Sequence, residues 1–437
     1  LKWPRTVAKI SCRPGEMKVG LVGGGTVGGG VCEILRLKGT FLTAQGADLK
    51  IVKLCVRDAA KKRDFPLPEG CQVVTDPKLI LEDPDIEMVV ELMGGVTVAK
   101  DIVMTALARG KHVVTGNKAL IAAHLQEIQA AAKASGAVFA YEAAVCGGIP
   151  IIQTIRHNYM GDEIQSVMGI MNGTTNFILS KMEQEGAEYG TVLAEAQRLG
   201  FAESPPDFDV EGWDARSKLA ILCKLAFGVN VVEESIPCTG ITRVTLEDFR
   251  YAEMLKCSVK ILGVANLTKE GSLSAYVSIC MVPLANQLSR VSGALNSVAV
   301  TSKNLGTCVY SGPGAGRFPT ANSVMSDMVM IAGGGGRGDP FPLNREVATG
   351  AEVTGRFYMR FLVRDGVGIV RTLGTLAEEA GISIHAVLQT PIADTDRVPF
   401  VITTDVTSLT AVKAMCAEAE KKAFNLEPPL VMPLFTV

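Results

Sequence analysis

Five carboxylates, Glu203, Asp207, Asp209, Glu211 and Asp214, stand within fourteen residues after Gly200, and Lys218 follows four positions beyond the last of them. Like charges this dense repel one another unless a cation sits among them, and a substrate ammonium group would serve. The plainer alternative is an acidic surface loop; Phe208 and Trp213 inside the segment predict a partly buried loop instead, stiffened by Pro205 and Pro206. Asp214 and Lys218 are spaced i,i+4 near the start of a predicted helix. Such a pair reads equally as an exposed salt bridge, worth about 0.3–0.5 kcal/mol, or as a proton-transferring lysine oriented by an aspartate. A free lysine titrates near ~10.4, so exchange near neutrality needs partial desolvation or a second cation. Lys118, in Thr115-Gly116-Asn117-Lys118, follows the end of a predicted strand, where α/β sheets place ligands, and is a candidate for that cation.

A second constellation lies near the start of the chain. Gly23-x-Gly25-x-x-Gly28 falls between an apolar strand, residues 18–23, and a helix marked by Val31, Ile34, Leu35 and Leu37. In that context Gly23 permits the tight turn, Gly25 admits a pyrophosphate against the backbone, and Gly28 lets helix and strand pack closely. The helix N-terminus then offers N–H groups to the phosphates. A glycine turn with no ligand is the alternative. Arg57 stands at the end of the second strand, where an acidic residue would hold an NAD ribose, with Lys61 and Lys62 following. A guanidinium there suits a 2′-phosphate and so NADP. Asp58 leaves NAD open, and a solvated charged turn is the bland reading.

The elements that must position these residues change character along the chain. Strands are predicted at 50–56, 87–92, 111–115 and 138–142, with helices at 103–108 and 120–135, an alternation that implies a doubly wound parallel sheet. After Pro150 come strands at 164–171 and 274–282, with helices near 174–185, 191–199 and 214–227 between them, a separate α+β unit. Residues 312–320 read as a loop, 321–332 as a helix, and the glycines 333–336 with Arg337-Gly338-Asp339-Pro340 as a linker. Strands at 356–363, 382–389, 398–405 and 430–434 with helices at 369–380 and 409–421 give the order βαββαβ, which is ferredoxin-like.

Composition bounds the rest. A chain of 437 residues should form about three domains. With 48% apolar and 20% charged residues it can bury a large core. A net charge of −2 argues against nucleic-acid binding, and no apolar run is long enough to cross a bilayer. The eleven cysteines are dispersed, without CxxC, and the four histidines lack HxxxH spacing. Dispersed thiols in a reducing compartment is the better reading than zinc or disulfides. The chain begins at Leu1 and carries Lys2, Arg5, Lys9 and Arg13 before its first acid, Glu16. That fits either the tail of a transit peptide or a disordered basic leader. The expected location is cytoplasmic, with a plastid as the alternative if the residues before Met17 are a transit remnant.

Several segments in one order resemble homoserine dehydrogenases over nearly the whole chain: Gly23-Gly24-Gly25-Thr26-Val27-Gly28, Glu91-Leu92-Met93-Gly94-Gly95, Thr115-Gly116-Asn117-Lys118, Tyr141-Glu142-Ala143-Ala144-Val145, Met171-Asn172-Gly173-Thr174-Thr175-Asn176, Gly200-Phe201-Ala202-Glu203, residues 209–218, and Gly314-Ala315-Gly316 with Pro319-Thr320-Ala321. The resemblance implies reversible NAD(P)-dependent interconversion of L-homoserine and L-aspartate 4-semialdehyde, in threonine, methionine and isoleucine synthesis. It implies Lys218 as the proton-transferring residue, Asp214 as its orienting partner and a substrate ligand, and Lys118 between cofactor and substrate. Glu203 and Asp209 would hold the substrate's amino end, with Asn172, Gly173 and Thr174 lining the cleft. Thr26, Val27 and Thr97 would join the cofactor site. A monovalent cation, sodium by its hard oxygen donors, would be held by the Glu142 carboxylate and the carbonyls of Val145, Gly147 and Ile149.

The implied architecture is α/β: a Rossmann-like doubly wound NAD(P)-binding domain at 17–147 completed by 308–332, an α+β substrate-binding and dimerisation domain at 148–307, a linker at 333–354, and a ferredoxin-like ACT regulatory domain at 355–437. A homodimer or homotetramer is expected, with threonine as a candidate effector. Two departures stand out. Gly116 replaces a frequent alanine. Asp365-Gly366-Val367-Gly368-Ile369 lacks the proline with which ACT domains often open their first helix. The rival readings are a dehydrogenase for another amino-acid substrate and an amino-acid sensor without catalysis.

Overall fold

A computed structural model describes residues 15–336, 345, 347–390 and 394–436. The expected basic leader before residue 15 and the 337–340 end of the expected linker lie outside them. The described residues fold as two compact units, one of 15–161 with 224–230 and 313–336, the other of 162–223, 231–312 and those from 345 onward.

The first unit holds a six-stranded sheet of β1 (Met17–Val22), β2 (Leu49–Cys55), β3 (Gln72–Val74), β4 (Met88–Glu91), β5 (His112–Thr115) and β6 (Phe139–Ala140). Their order is β3-β2-β1-β4-β5-β6, and every neighbouring pair is parallel. Parallel strands are covered on both faces and read as apolar runs. Val19, Leu21, Ile51, Leu54, Val90 and Val114 accordingly share one core with Val324, Met325 and Met328 of the helix Arg317–Ala332. The order reverses between β1 and β4, the switch point at which such sheets bind ligands.

Two expectations need correction here. The strand expected at 138–142 stops at Ala140, and Glu142–Ala144 forms a 3₁₀ turn. The Glu142 N–H donates to Asp327 Oδ2 (2.8 Å) rather than to a neighbouring strand. The loop expected through 320 is already helical from Arg317. Pro319 lies in the first turn, where a missing N–H costs nothing.

The second unit is built on one mixed sheet. Its strands are β7 (Ile164–Ile170), β8 (Cys257–Leu267), β9 (Leu273–Pro283), β10 (Leu295–Ser302) and β11 (Gly306–Pro313), followed by β12 (Thr354–Val363), β13 (Ile384–Leu388), β14 (Val398–Thr404), β15 (Thr407–Ser408) and β16 (Leu430–Leu434). The order is β11-β10-β7-β8-β9-β16-β12-β14-β13, with β15 beside β12. A parallel pairing of Leu434 with Met281 joins the two halves. Helices Gly173–Glu185, Tyr189–Arg198 and Trp213–Phe227 match their expected places within two residues. The helix Leu246–Met254 and strands β8, β10 and β11 were not expected. The first nine residues of β8 are buried without alternation, so it gives no period-two signal.

Beyond residue 354 the elements run strand, helix, two strands, a two-residue strand, helix, strand. Phe357, Met359, Phe361, Leu373, Phe400, Val412 and Met415 form a core of their own. The helix Ile369–Glu379 starts on Gly368, at φ 90° and without a side-chain cap, one residue after Val367, which stands where the proline is missing.

Candidate functional site

The glycine turn after β1 is shaped by two close approaches. Gly23 has φ 109°, and a Cβ there would come within 2.5 Å of the Leu92 carbonyl oxygen. A Cβ on Gly28 would lie 2.1 Å from the Gly23 carbonyl oxygen. Gly25 differs: a Cβ there would meet nothing within 4 Å. It caps the helix Thr26–Ala44 with no side-chain hydrogen bond, so the first-turn N–H groups of Thr26, Val27 and Gly28 take no cap from Gly25. Open space over uncapped N–H groups suits a pyrophosphate. The exposed Arg57 lies two residues past the end of β2. The turn after it is braced by Arg63, whose guanidinium donates to the carbonyls of Asp58 (2.8 Å), Ala59 (3.3 Å) and Lys61 (2.6 Å). Thr97 is the exposed first residue of the helix Thr97–Ala108. Lys118 is the first residue of Lys118–Ser135, whose N-cap Asn117 accepts from Leu120 N (3.2 Å).

In the second unit the acidic segment and Lys218 meet around one asparagine. Lys218 is 8% exposed, and its Nζ donates to Asp214 Oδ2 (2.7 Å) and to the Met171 carbonyl oxygen (2.6 Å). Asn172 Nδ2 donates both to Asp214 Oδ2 (2.8 Å) and to Asp209 Oδ1 (2.7 Å). The Asn172 Oδ1 caps the helix Gly173–Glu185 by accepting from Thr175 N (2.8 Å). A cap normally leaves its amide N–H₂ to solvent; here that group holds two carboxylates together. Thr174 Oγ1 donates to the Phe201 carbonyl (2.6 Å), and a Cβ on Gly173 would come within 2.7 Å of the Ala294 carbonyl oxygen.

The salt-bridge reading of Asp214 and Lys218 therefore holds in geometry but not in exposure, since Asp214 is 3% exposed. One expectation for this segment fails. Phe208 and Trp213 remain exposed, at 44% and 40%, so burial comes from Asp214 and Val210 instead. Glu203 is exposed and joins neither Lys218 nor Asn172; its backbone carbonyl accepts from Gln197 Nε2 (3.3 Å). Lys218 and the Asn172 amide relieve the repulsion between Asp209 and Asp214. The sequence reading assigned no bonding to Met171 and Asn172. An asparagine preceding Gly-Thr-Thr at a helix start was the available signal.

Glu142 is 1% exposed. Its carboxylate accepts from Ile152 N (2.9 Å) and Gln153 N (2.7 Å), capping the helix Ile151–Asn158. Gln153 Nε2 also reaches Asp327 Oδ1 (2.9 Å). Burial first, then the Asp327 charge, pushes the Glu142 carboxyl up to about 7, and burial raises Asp327 as well. The Gly147 carbonyl accepts from Ser323 Oγ (2.6 Å) and the Ile149 carbonyl from Ile151 N (2.8 Å). Each of these oxygens keeps a second lone pair, and an all-oxygen donor set beside two buried acids fits a hard monovalent cation. Among the described residues, no group of three or more His, Cys, Asp or Glu side chains could hold a metal ion.

A doubly wound sheet with this glycine turn and a mixed-sheet unit carrying a buried lysine–aspartate pair define an NAD(P)-dependent oxidoreductase acting on a CH–OH group. Residues 23–142 match the family model of the homoserine dehydrogenase NAD-binding domain, and 150–329 that of homoserine dehydrogenase. The homoserine dehydrogenase of Bacillus subtilis is 39% identical over 394 residues, covering 88% of this chain and 90% of that one. That of Synechocystis is 39% identical over 405 residues, covering 89% and 93%. The crystal structure of a homoserine dehydrogenase from Thiobacillus denitrificans superposes with a TM-score of 0.90 at 36% identity, over 96% of this chain and 98% of that one. A hyperthermophilic archaeal homoserine dehydrogenase mutant in complex with NADPH aligns at a TM-score of 0.61 and 27% identity, over 72% and 97%. The chain belongs to the homoserine dehydrogenase family.

Proposed function

We propose that this homoserine dehydrogenase interconverts L-homoserine and L-aspartate 4-semialdehyde with Lys218 as its proton-transferring residue and NADP as its preferred cofactor. The observation that carries the reading is the buried Lys218–Asp214 pair, held by the Met171 carbonyl and by Asn172. The bound dinucleotide supplies the hydride acceptor or donor. Lys218 accepts the hydroxyl proton as homoserine is oxidised and returns it to the carbonyl oxygen in the reverse direction. Its positive charge stabilises the alkoxide that develops there. Asp214 orients Lys218 and binds substrate, while Asp209 and Glu203 hold the amino end against the backbone of Gly173 and Thr174. Gly23, Gly25, Thr26, Val27, Gly28, Thr97 and Lys118 bind the cofactor, and Arg57 takes its 2′-phosphate.

The Glu142 carboxylate with the carbonyls of Val145, Gly147 and Ile149 would hold a sodium ion, whose charge balances the buried acids. Residues 355–437 form a regulatory ACT unit in this reading, and the central strands serve dimerisation. Support for the ACT unit comes from the strand order β16-β12-β14-β13. A cavity of about 140 Å³ lined by Asp365, Gly368, Ile369, Gln389 and Phe400 adds to it. A hollow of that size with a carboxylate and an amide in its wall suits a small amino acid, threonine being the candidate.

Absorbance of the reduced nicotinamide, followed with homoserine and either NADP or NAD, tests the reaction and ranks the cofactors. Lys218→Ala should lower turnover by about 10²–10⁴-fold while dinucleotide binding persists. Loss of both together would make the lysine structural. A folded protein that binds dinucleotide yet shows no homoserine-dependent reduction of it would leave another substrate or the sensor reading.

A further inference from the structure

We infer that Glu91 is a positioning residue for this reaction: through Thr115 and Asn117 it fixes the backbone that carries Lys118 and the turn at residues 93–95. The inference rests on the role proposed for Lys118. Glu91 is the last residue of β4, at the switch point beside β1, and is fully buried. In register it faces Thr115, the last residue of β5. Glu91 Oε2 accepts from Thr115 Oγ1 (2.6 Å) and Oε1 accepts from Met93 N (2.8 Å). Thr115 Oγ1 in turn accepts from Asn117 N (3.0 Å), and Asn117 Nδ2 donates to the Gly95 carbonyl oxygen (2.6 Å). The hydrogen bonds thus close a ring from the end of β4 through the end of β5 and back to the 93–95 turn. Lys118 is the next residue after Asn117.

The chemistry of the ring needs a carboxylate. Both Glu91 oxygens accept, one from a hydroxyl and one from a backbone N–H; a glutamine would replace one acceptor with a donor. None of the ion pairs among the described residues includes Glu91, and a buried carboxylate without a counter-ion is costly. Burial raises its pKa, and the hydrogen bonds from Thr115, Met93, Asn117 and Gly94 oppose that rise. The turn it holds contains Gly94 and Gly95, both at φ 75°, a backbone with little stiffness of its own. At a reacting centre a displacement of an ångström costs about a hundredfold in rate, so this anchor has a kinetic consequence.

The test uses the full chain. Glu91→Gln should lower kcat about tenfold to a hundredfold with the dinucleotide KM changed no more than about twofold. Thr115→Val, which keeps the shape and removes the hydroxyl, should reproduce the kcat loss and carries the test if Glu91→Gln does not fold. Because the ring acts through Lys118, either substitution should cost little when added to Lys118→Ala. Unchanged kcat in both variants overturns the inference, as does full additivity with Lys118→Ala. Normal turnover by Lys118→Ala overturns the role of Lys118; a kcat loss in Glu91→Gln would then be carried by the 93–95 turn alone.

Discussion

Arg57 and Lys218 occupy opposite electrostatic settings, and each calls for a different measurement. Arg57 stands exposed past the end of β2, so its worth depends on what binds to it. A charge-assisted hydrogen bond to a phosphate contributes about 1.5–3 kcal/mol, which is roughly tenfold to a hundredfold in affinity. Arg57→Ala should therefore raise the KM for NADP by about that factor and leave the KM for NAD within about twofold. Equal changes for both cofactors would remove the 2′-phosphate from its role. Lys218 is buried, and its neighbours were only half legible. Helical spacing gave Asp214, because residues four apart share a face. Asn172 lies 42 positions from Asp214 and the Met171 carbonyl 47 from Lys218, and no local pattern announces them. Phe208 and Trp213 misled for the same reason: apolar character does not by itself fix burial.

At the level of elements, the helix Thr26–Ala44 packs against Arg317–Ala332 through small residues. A Cβ on Gly30 would stand 2.8 Å from Ala321 Cβ and 2.9 Å from the Arg317 carbonyl oxygen, whereas one on Gly39 would meet nothing within 4 Å. Gly30→Ala should destabilise the nucleotide-binding unit by about 1–3 kcal/mol through overpacking. Gly39→Ala should stabilise the helix by about 0.5–1 kcal/mol. Thermal unfolding followed by circular dichroism separates them, and a shift of both in one direction would refute the packing argument. Elements with strong periodicity or apolar runs between turn signals were readable: β1, β2, β5, β16 and the helices Gly173–Glu185, Tyr189–Arg198 and Trp213–Phe227 fall within two residues of expectation. The strand at 138–142 and the start of Arg317–Ala332 were not. Both boundaries are set by tertiary partners, Asp327 for the first and the Thr26–Ala44 helix for the second.

On the scale of the molecule, the C-terminal strands are tied to the rest of the same unit at several places. One is the β9–β16 pairing. Another is Asp248 of the helix Leu246–Met254, wholly buried, which accepts from Tyr358 OH (2.8 Å) and pairs with Arg360 Nε (2.9 Å). An effector acts only through different affinities for two states, typically a fivefold to 150-fold coupling. Threonine titrated against turnover should lower activity within the millimolar range. A flat response would leave the cavity without that ligand.

The sequence by itself determined what short spacing can determine. It gave the glycine turn and its strand–helix setting, the lysine one helical turn after an aspartate, the alternation that makes a parallel sheet, and the βαββαβ order of the last 80 or so residues. Those follow from backbone sterics and helical or strand period, which act over a few residues. Only the tertiary structure decided the rest. Asn172 bridges two carboxylates, Glu142 meets Asp327 across 185 positions, and Glu91 joins the ends of two strands. It also decided that the last strand continues the central sheet. Such pairings are chosen by which buried donors and acceptors the packed elements bring face to face, and buried polar groups accept only partners that satisfy them.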